Sequence, residues 1–478
     1  MTQPAPPDPG SDHFPDRIER FLDLIEQTPY EALPADAVAA AKVFLLDTAG
    51  VALAGRMAPR LEELQGLATD WDGSSTSGVP IWNTKARGSA PTAALINGYQ
   101  CHALEYDCVY EPAVILPTPP ILAALHTKAV ELTAAGRPPD GKALIRAFVL
   151  ALEVSCTIAG GARNSMFFFR PTTTGVFSAL TAIACLDPLP RDKLRYAFGI
   201  GYSQMCGTMQ AHEEGSMMLA MQMGFAARNA VQAHAMAKIG VSGPVQVLDG
   251  RFGYYQNFES SDHLEDMLGQ LGSPWKVTQL SHKPFPSGRV THGVIHTLRK
   301  MRQALDLSAN ASFDTITAMR VEMPPLGFRL TGRPMVHRPT PNYARLCIPF
   351  VAAAELLLGK VDPTTFVPEF LHDDRIENLA RRVQTIEVPH DNPNAFYPQT
   401  ITIEFSDRET LRYEIPMAWG HPDMPLSEAD RVAKFELCCH LAASSGSAQS
   451  VDAQAFARWI QQLDEAKDLT PLLNLLQA

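Results

Sequence analysis

The chain has 478 residues, of which 46 % are hydrophobic and 19 % are charged, a composition that supports a large buried core and excludes a disordered or collagen-like protein. Its 40 Lys and Arg against 51 Asp and Glu give a formal net charge of −11. No basic run occurs, which argues against nucleic acid as a partner. The sequence also lacks the window of about 18 uninterrupted apolar residues that a membrane span requires, so we expect no membrane contact.

The start of the chain and its cysteines bear on where the protein works. Met1–Asp16 is rich in Pro and Asp and lacks the basic and apolar regions of an export signal, so we predict a disordered tail over 1–16. The eight cysteines form no Cys-x-x-Cys pair and no cluster, which is typical of buried free thiols in a reducing cytoplasm. Because no zinc, iron–sulfur or dinucleotide motif occurs, we predict a cytoplasmic protein without a metal or cofactor.

Apolar residues recur at helical spacing through the first half of the chain. The run Asp36–Gly55 follows a period close to 3.6, and Ser89 with Pro91 is typical of a capped helix start. Further helices are predicted over 92–104, 121–132, 142–158, 175–185, 193–205 and 219–239. We therefore assign 17–281 to a helical domain.

The pattern changes near Ser281 and changes back after Pro416. Alternating apolar residues predict strands over 315–322, 383–388, 400–405 and 411–415, with helices over 290–305 and 348–358. Helices return over 427–441, where Ser427 and Asp430 resemble a capping box, and over 452–463. The predicted fold is mainly α: a helical domain built from both ends of the chain, 17–281 and 416–478, interrupted by an α+β lid domain over 282–415. A cleft between two such bodies is the usual place for a ligand.

Three proton-active side chains follow one another at the end of the predicted helix 92–104. His102 and Glu105 are three residues apart and share a helix face, and Asp107 lies just beyond. A carboxylate beside an imidazole suits a general base or a hydrogen-bond anchor. The alternative is that His102 and Glu105 only fix the helix end to the next loop.

Two further segments carry cations next to helix starts. Arg170, followed by three threonines, is predicted in a loop that enters the helix 175–185, where it suits a carboxylate. Lys283, Arg289 and His292 open the α+β region, with Arg289 and His292 on one side of a helix turn. The alternatives are a surface arginine at a helix cap and ion-paired residues at a hinge. His212 has no metal-ligand spacing and is read as part of a capping loop that lines the cleft.

Taken in order, these segments resemble the MmgE/PrpD family, whose members include 2-methylcitrate dehydratase, cis-aconitate decarboxylase and iminodisuccinate epimerase. The likeness runs from about residue 17 to the end and rests on a series of short segments: Leu46–Gly50, Asn97–Asp107, Arg170–Gly175, Gly224–Ala227, Gly240–Pro244, Leu248–Gly253, Lys283–Pro286 and Pro425–Ser427. The resemblance implies a homodimer with a metal-free active site between the two domains. It also implies removal of a proton next to a carboxylate, followed by loss of water or carbon dioxide or by reprotonation.

The residues of the family pattern are kept only in part. Its acidic motif, His-x-x-Asp-x-Asp-Asp-Thr, is here His102, Glu105, Asp107, Cys108 and Val109. Histidines of the pattern correspond to Leu116 and Arg170, a lysine corresponds to Leu219, and a histidine or cysteine corresponds to Gly288. A site that has lost these groups is more apolar, so we expect a substrate with fewer carboxylates or a larger apolar part than cis-aconitate.

The sequence thus supports two hypotheses. In the first, the protein is a lyase or isomerase for a small carboxylic acid. Arg170, with Lys283 or Arg289, binds the acid; Asp107, His102 or His292 is the base; and Tyr343 or Glu105 orients groups or returns the proton. Thr172, Gln222 and Arg345 complete the predicted substrate-binding set. In the second hypothesis, the chain has kept the fold and lost the chemistry, and acts as a ligand-binding protein.

Overall fold

The computed structural model describes residues 16–73, 78–304, 313–446 and 451–477, so the predicted tail lies outside the described residues except for Asp16. The chain begins with α-helices joined by short turns: α1 (Ile18–Gln27), α2 (Ala35–Ala54), α3 (Leu61–Asp72), α4 (Ala90–His102), α5 (Thr118–Ala134), α6 (Gly141–Gly160), α7 (Arg170–Leu186), α8 (Arg191–Ser203), α9 (Gln210–Glu213), α10 (Met218–Lys238), α11 (Tyr254–Asn257) and α12 (Leu264–Gly269). A two-stranded ribbon, β1 (Val79–Pro80) with β2 (Arg87–Gly88), precedes α4.

The middle of the chain adds a sheet, and the end returns to helix. Its remaining elements are α13 (His292–Ala304), β3 (Ile316–Met323), α14 (Pro325–Thr331), α15 (Pro341–Arg345), α16 (Ile348–Leu358), α17 (Pro368–Leu371), α18 (Asp374–Ala380), β4 (Val383–Glu387), β5 (Gln399–Phe405), β6 (Leu411–Ile415), α19 (Glu428–Ser444), α20 (Ala453–Gln461) and α21 (Thr470–Leu475). We call α1–α12 with α19–α21 the helical part, and α13–α18 with β3–β6 the α+β part.

Two separate hydrophobic cores underlie these parts. One core joins residues of α1, α2, α4–α8 and α10–α12 to residues of α19–α21, so both ends of the chain build the helical part. The other is centred on the sheet, whose strand order is β4-β3-β5-β6, with β3 parallel to β4 and antiparallel to β5, and packs it against α13 and α16. The predicted mainly-α fold with an α+β insert is confirmed, whereas the residue-level domain boundaries stay predictions.

Local signals in the sequence account for several helix ends. The Ser89 side chain accepts a bond from the Thr92 amide, with Pro91 in the first turn of α4, and Ser427 and Asp430 form a capping box at α19. The start of α7 was predicted wrongly: it begins at Arg170 rather than near Gly175, because Pro171 fits the first turn of a helix.

Two helical stretches are long and apolar enough to cross a membrane by length and composition alone. They are Ala35–Met57 and Gly141–Gly160, and 67 % and 83 % of their most apolar windows is buried inside the protein. Both contribute to the core of the helical part, which accounts for their apolar composition.

Helices α4 and α10 approach each other closely at two glycines. A Cβ atom at Gly224 would lie 2.0 Å from the Leu95 carbonyl oxygen, and one at Gly98 would lie 2.8 Å from the Gly224 Cα atom. Because both neighbours are backbone atoms, these contacts could only be relieved by separating the helices. The close approach fixes the spacing between the end of α4 and the start of α10.

We expect Gly224→Ala to lower the free energy of unfolding by about 3 kcal/mol, because the added methyl group overpacks the α4–α10 contact. Urea denaturation measures the effect. Gly66→Ala in α3 is the matched control, since nothing lies within 4 Å of the place that its Cβ atom would take and alanine favours a helix by about 0.5–1 kcal/mol. Equal stability changes in the two variants would contradict the close contact.

Candidate active site

A cavity lies where the α+β part meets the helical part. Its volume is about 60 Å³, enough for a few water molecules. Both parts line it: Glu105, Val109, Val114, Leu116, Met166, Phe169, Pro171, His212 and Leu219 from the helical part, and Lys283, Gly288, Arg289, Val290, Leu330, Thr331, Leu346 and Phe396 from the chain that follows. A larger groove of about 630 Å³ runs between α2, α19 and α20, and none of the predicted site residues lines it.

Four charged side chains form a buried network that ends at this cavity. His102 closes α4, and its Nδ1 lies 2.8 Å from the Asp107 Oδ1 while its Nε2 lies 3.3 Å from the Glu105 Oε1. The Lys283 Nζ donates to the Glu105 Oε2 at 2.9 Å and to the Glu105 carbonyl oxygen at 3.3 Å. Glu105 and Lys283 line the cavity; His102 and Asp107 lie behind them.

The surroundings of these side chains set the protonation of His102 and Glu105. Burial alone would lower the pKa of His102, but the adjacent Asp107 and Glu105 outweigh it and raise that pKa to about 10. Burial opposes ionisation of Glu105 as well, yet Lys283 and His102 hold its pKa well below the usual range. His102 is therefore an imidazolium and Glu105 a carboxylate at neutral pH.

Backbone geometry and a brace from the far end of the chain hold the acidic segment. Glu105 has φ +53°, a left-handed conformation that costs about 1–2 kcal/mol for a residue with a side chain. The Lys434 Nζ of α19 donates to the Asp47 Oδ1 at 2.8 Å and to the Tyr106 carbonyl oxygen at 2.9 Å. The buried Lys434 ammonium thus fixes the carbonyl of Tyr106, which lies between Glu105 and Asp107.

The predicted arginines are buried, and two of them are fully engaged with the protein. Arg170 donates to both oxygens of Glu259, at 2.7 and 2.9 Å, and to two carbonyl oxygens, and it does not line the cavity. Arg289 lines the cavity, but its guanidinium binds Glu111 and the carbonyls of His282, Ala418 and Trp419. Each of these two cations already has a counterion within the protein, and of the two only Arg289 lines the cavity; their predicted role in binding an acid stays a prediction.

The other predicted residues lie around the cavity and do not line it. The His292 Nε2 lies 3.1 Å from the Ser287 carbonyl oxygen, and burial with the charge of Arg289 keeps its pKa well below the usual range. Tyr343 donates to the Pro334 carbonyl at 2.7 Å, and Thr172 donates to the sulfur of Met223. Gln222 bonds the backbone of Thr208. None of these four side chains lines the cavity, and their predicted roles stay predictions.

His212 lines the cavity, as the capping-loop interpretation allowed, but its surroundings could not be read from the sequence. Its carbonyl oxygen accepts a bond from the Arg333 Nη2 at 3.0 Å, and its Nδ1 lies 3.4 Å from the same nitrogen. Burial and the positive charge of Arg333 lower the pKa of His212 to about 4, so the imidazole is neutral. Arg333 lies more than a hundred residues away along the chain, and no local motif predicts the contact.

Comparisons with known proteins decide the family. Residues 19–266 match the MmgE/PrpD N-terminal domain, and residues 285–459 match the MmgE/PrpD C-terminal domain. The chain belongs to the MmgE/PrpD family. It is 25 % identical to cis-aconitate decarboxylase of Mus musculus, over 96 % of this chain and 93 % of that protein.

Fungal members of the MmgE/PrpD family are similarly distant. The cis-aconitate decarboxylase-like protein oryM of Aspergillus oryzae is 25 % identical over 93 % of this chain and 94 % of its own length. Cis-aconitate decarboxylase of Aspergillus terreus is 23 % identical over 93 % and 92 %. The relatives named cis-aconitate decarboxylase are carboxy-lyases that act on a small carboxylic acid, which supports an enzyme of that broad class.

Four of the residues that the sequence analysis compared with the MmgE/PrpD pattern meet at the cavity. Val109 and Leu116 are close in sequence, Leu219 and Gly288 lie much further along the chain, and all four line the wall. None of the four brings a charge to the cavity. In the part of the chain that the structure describes, no group of three or more His, Cys, Asp or Glu side chains is placed to hold a metal ion; chemistry without a metal stays a prediction.

The raised pKa of His102 predicts a pH-dependent stability. The imidazole binds its proton more tightly in the folded protein than in the unfolded chain. Its contribution to the free energy of unfolding is therefore complete below about pH 6.5 and is lost as the pH rises toward about 10. We expect the free energy of unfolding of the wild type to fall by about 2–4 kcal/mol across this window, and His102→Gln to flatten the fall.

Urea titrations at several pH values measure this effect, with His126→Gln as the matched control. His126 is equally buried, but burial lowers its pKa to about 4, so its contribution changes only at lower pH. A His102→Gln profile that kept the wild-type slope above pH 6.5 would contradict the assigned protonation.

Proposed function

We propose that this protein is a lyase or isomerase that moves a proton at the carbon next to the carboxylate of a small organic acid. The observation that carries the proposal is the Glu105–Lys283 pair, backed by His102 and Asp107, in the wall of a cavity that is lined mostly by apolar residues. Relatives named cis-aconitate decarboxylase support chemistry on a carboxylic acid.

The residues of the cavity divide the proton transfer between them. When the acid enters, the Lys283 ammonium shifts toward its carboxylate, which weakens the bond that holds Glu105 and makes the Glu105 carboxylate a stronger base. Glu105 takes the proton from the carbon, and the electron pair left there delocalises into the carboxylate beside Lys283. His102, charged and fixed by Asp107, stabilises the arrangement from behind.

The apolar wall restricts the substrate. Cis-aconitate would place extra carboxylates against Val109, Leu116 and Leu219, and an unpaired buried charge costs several kcal/mol. We therefore propose an acid with one carboxylate near Lys283 and a hydrocarbon remainder. Ligand pockets usually measure about 300–1,000 Å³, so the α+β part must move away from the helical part for such an acid to enter the cavity.

A ligand-binding protein without catalysis is the second candidate function. Its support is the apolar side chain at Leu219 and the missing side chain at Gly288, where the family pattern has proton carriers. Proton exchange separates the two functions, because an enzyme of the proposed class replaces the α-proton of a bound acid with deuterium. Absence of exchange for every acid shown to bind would favour the second function. A homodimer and a cytoplasmic location also remain proposals, the first testable by light scattering in solution.

We expect Glu105→Gln to reduce α-proton exchange by about 10²–10⁴-fold, the usual effect of losing a general base. NMR in deuterated water measures the rate with each candidate acid. Glu404→Gln on the sheet surface is the control, since Glu404 pairs with Arg320 far from the cavity. Asp107→Asn should also lower the rate, through His102; unchanged exchange in Glu105→Gln would remove that residue from the mechanism.

We expect Leu219→Lys to shift binding toward acids with two carboxylates, because it places a second ammonium group in the cavity wall. We expect the preference for succinate over butyrate, taken as the ratio of their dissociation constants, to be about tenfold greater in Leu219→Lys than in the wild type. Isothermal titration calorimetry with both acids measures the ratio, and Leu219→Met controls for the altered volume. A ratio unchanged by the lysine would contradict the assignment of Leu219 to the substrate-facing wall.

A further inference from the structure

Two arginines beside the cavity, the buried Arg345 and the partly buried Arg333, have no carboxylate partner among the described residues. Arg345 is 3 % exposed, its Nε has no hydrogen-bond partner there, and its Nη1 reaches the Ala103 carbonyl and the Asn342 side chain, at 3.3 and 3.4 Å. Arg333 has a buried Nη1 that is likewise without a partner in the described chain, while its Nη2 binds His212. Across residues 16–477, outside the gaps given above, no carboxylate oxygen lies within 4.0 Å of either guanidinium.

The contrast with the other buried cations near the cavity gives this observation its weight. Arg170, Arg289 and Lys283 each have a carboxylate at 2.7–2.9 Å. An unpaired buried charge and an unsatisfied buried donor are both unfavourable, and native proteins contain few of either. Arg345, which is buried without a counterion, and Arg333, which is carried on the neighbouring segment, therefore indicate that an anion from outside the chain completes them.

Both arginines are held at the cavity by their neighbours. Residues 332 and 347 pair as a short antiparallel bridge, so the segments that carry Arg333 and Arg345 run side by side behind the lining residues Thr331 and Leu346. Arg333 stacks over the ring of Tyr343 and Arg345 over that of Phe366, at 4.9 and 5.0 Å. These rings orient the guanidinium planes without neutralising them.

The two arginines lie within the electrostatic reach of the Glu105–Lys283 pair. Glu105 is the carboxylate whose charge acts on both arginines, and it is itself held by His102 and Lys283. Glu213 also acts on Arg333. Burial without a counterion lowers the pKa of Arg345 to about 10 and also lowers that of Arg333. A bound anion offsets the cost of burying these charges without a counterion, and this favours anion binding.

We propose that Arg333 and Arg345 form a carboxylate-binding subsite that holds the substrate's acid group beside Lys283. This assignment rests on the proposed function, and it explains how a cavity with apolar walls binds an acid at all. The carboxylate lies between the two guanidinium groups and the ammonium, and its hydrocarbon remainder points toward Val109, Leu116 and Leu219. Arginine suits this role because its fixed N–H groups match the geometry of a carboxylate.

Thermal unfolding with acetate, propionate or butyrate, against sodium chloride at equal ionic strength, tests the subsite. We expect these acids to raise the Tm of the wild type, and Arg345→Gln or Arg333→Gln to weaken their apparent affinity by about tenfold. Arg345→Lys should keep part of the effect. Arg320→Gln, on the exposed sheet surface, is the matched control and should respond like the wild type.

The Tm without acid provides an independent readout. A purely structural arginine would lower the Tm when it is replaced, whereas Arg345→Gln should leave it unchanged or raise it, because an unpaired buried charge is removed. Equal acid-induced shifts in the wild type and both glutamine variants would overturn the subsite, as would the absence of any shift in the wild type.

Deuterium exchange distinguishes failure of the subsite from failure of the proposed function. If the variants lose acid binding while the wild type binds acids without exchanging any α-proton, the subsite stands and the enzyme function falls. If both variants exchange the α-proton with the affinity and rate of the wild type, the subsite falls and the enzyme function stands.

Discussion

The bond between Lys283 and Glu105 is the interaction on which the site depends. It joins the start of the α+β part to the end of α4, and it bonds both the side chain and the carbonyl of Glu105. Without Lys283, the acidic segment would hold two carboxylates against one imidazolium in a buried space, which is strongly unfavourable. The same ammonium thus holds the two parts of the protein together, offsets the strained backbone at Glu105 and presents positive charge to the cavity.

The apolar wall gives these few charges their effect. Electrostatic interactions strengthen as water is excluded, so in the proposed reaction a proton moved between Glu105 and a substrate carbon would respond to Lys283 far more than it would in solution. Most of the side chains in the wall are apolar, among them Val109, Val114, Leu116, Phe169 and Leu219. In the proposed function, such a wall favours an acid with a hydrocarbon chain over an acid with several carboxylates.

Local patterns in the sequence predicted most of the fold and only part of the site. The spacing of apolar residues predicted the helices and strands, and Ser89 and Ser427 predicted two helix starts. The interval of three residues correctly predicted that His102 lies beside Glu105. The ion pair of Arg170 with Glu259 spans 89 residues, and Arg333 meets His212 across 121. Such pairings depend on how helices pack, which no local spacing encodes, so cations that looked free proved to be occupied, and an unpaired arginine was missed.

The brace formed by Lys434 has a consequence for how the protein matures. Its ammonium reaches back 328 residues to the carbonyl of Tyr106, inside the segment that carries Glu105 and Asp107. During synthesis the ribosome releases that segment long before α19 emerges, so a nascent chain carries its acidic loop without the strut that fixes it. A shortened product that ends before α19 therefore lacks the Lys434 ammonium and its bond to the Tyr106 carbonyl.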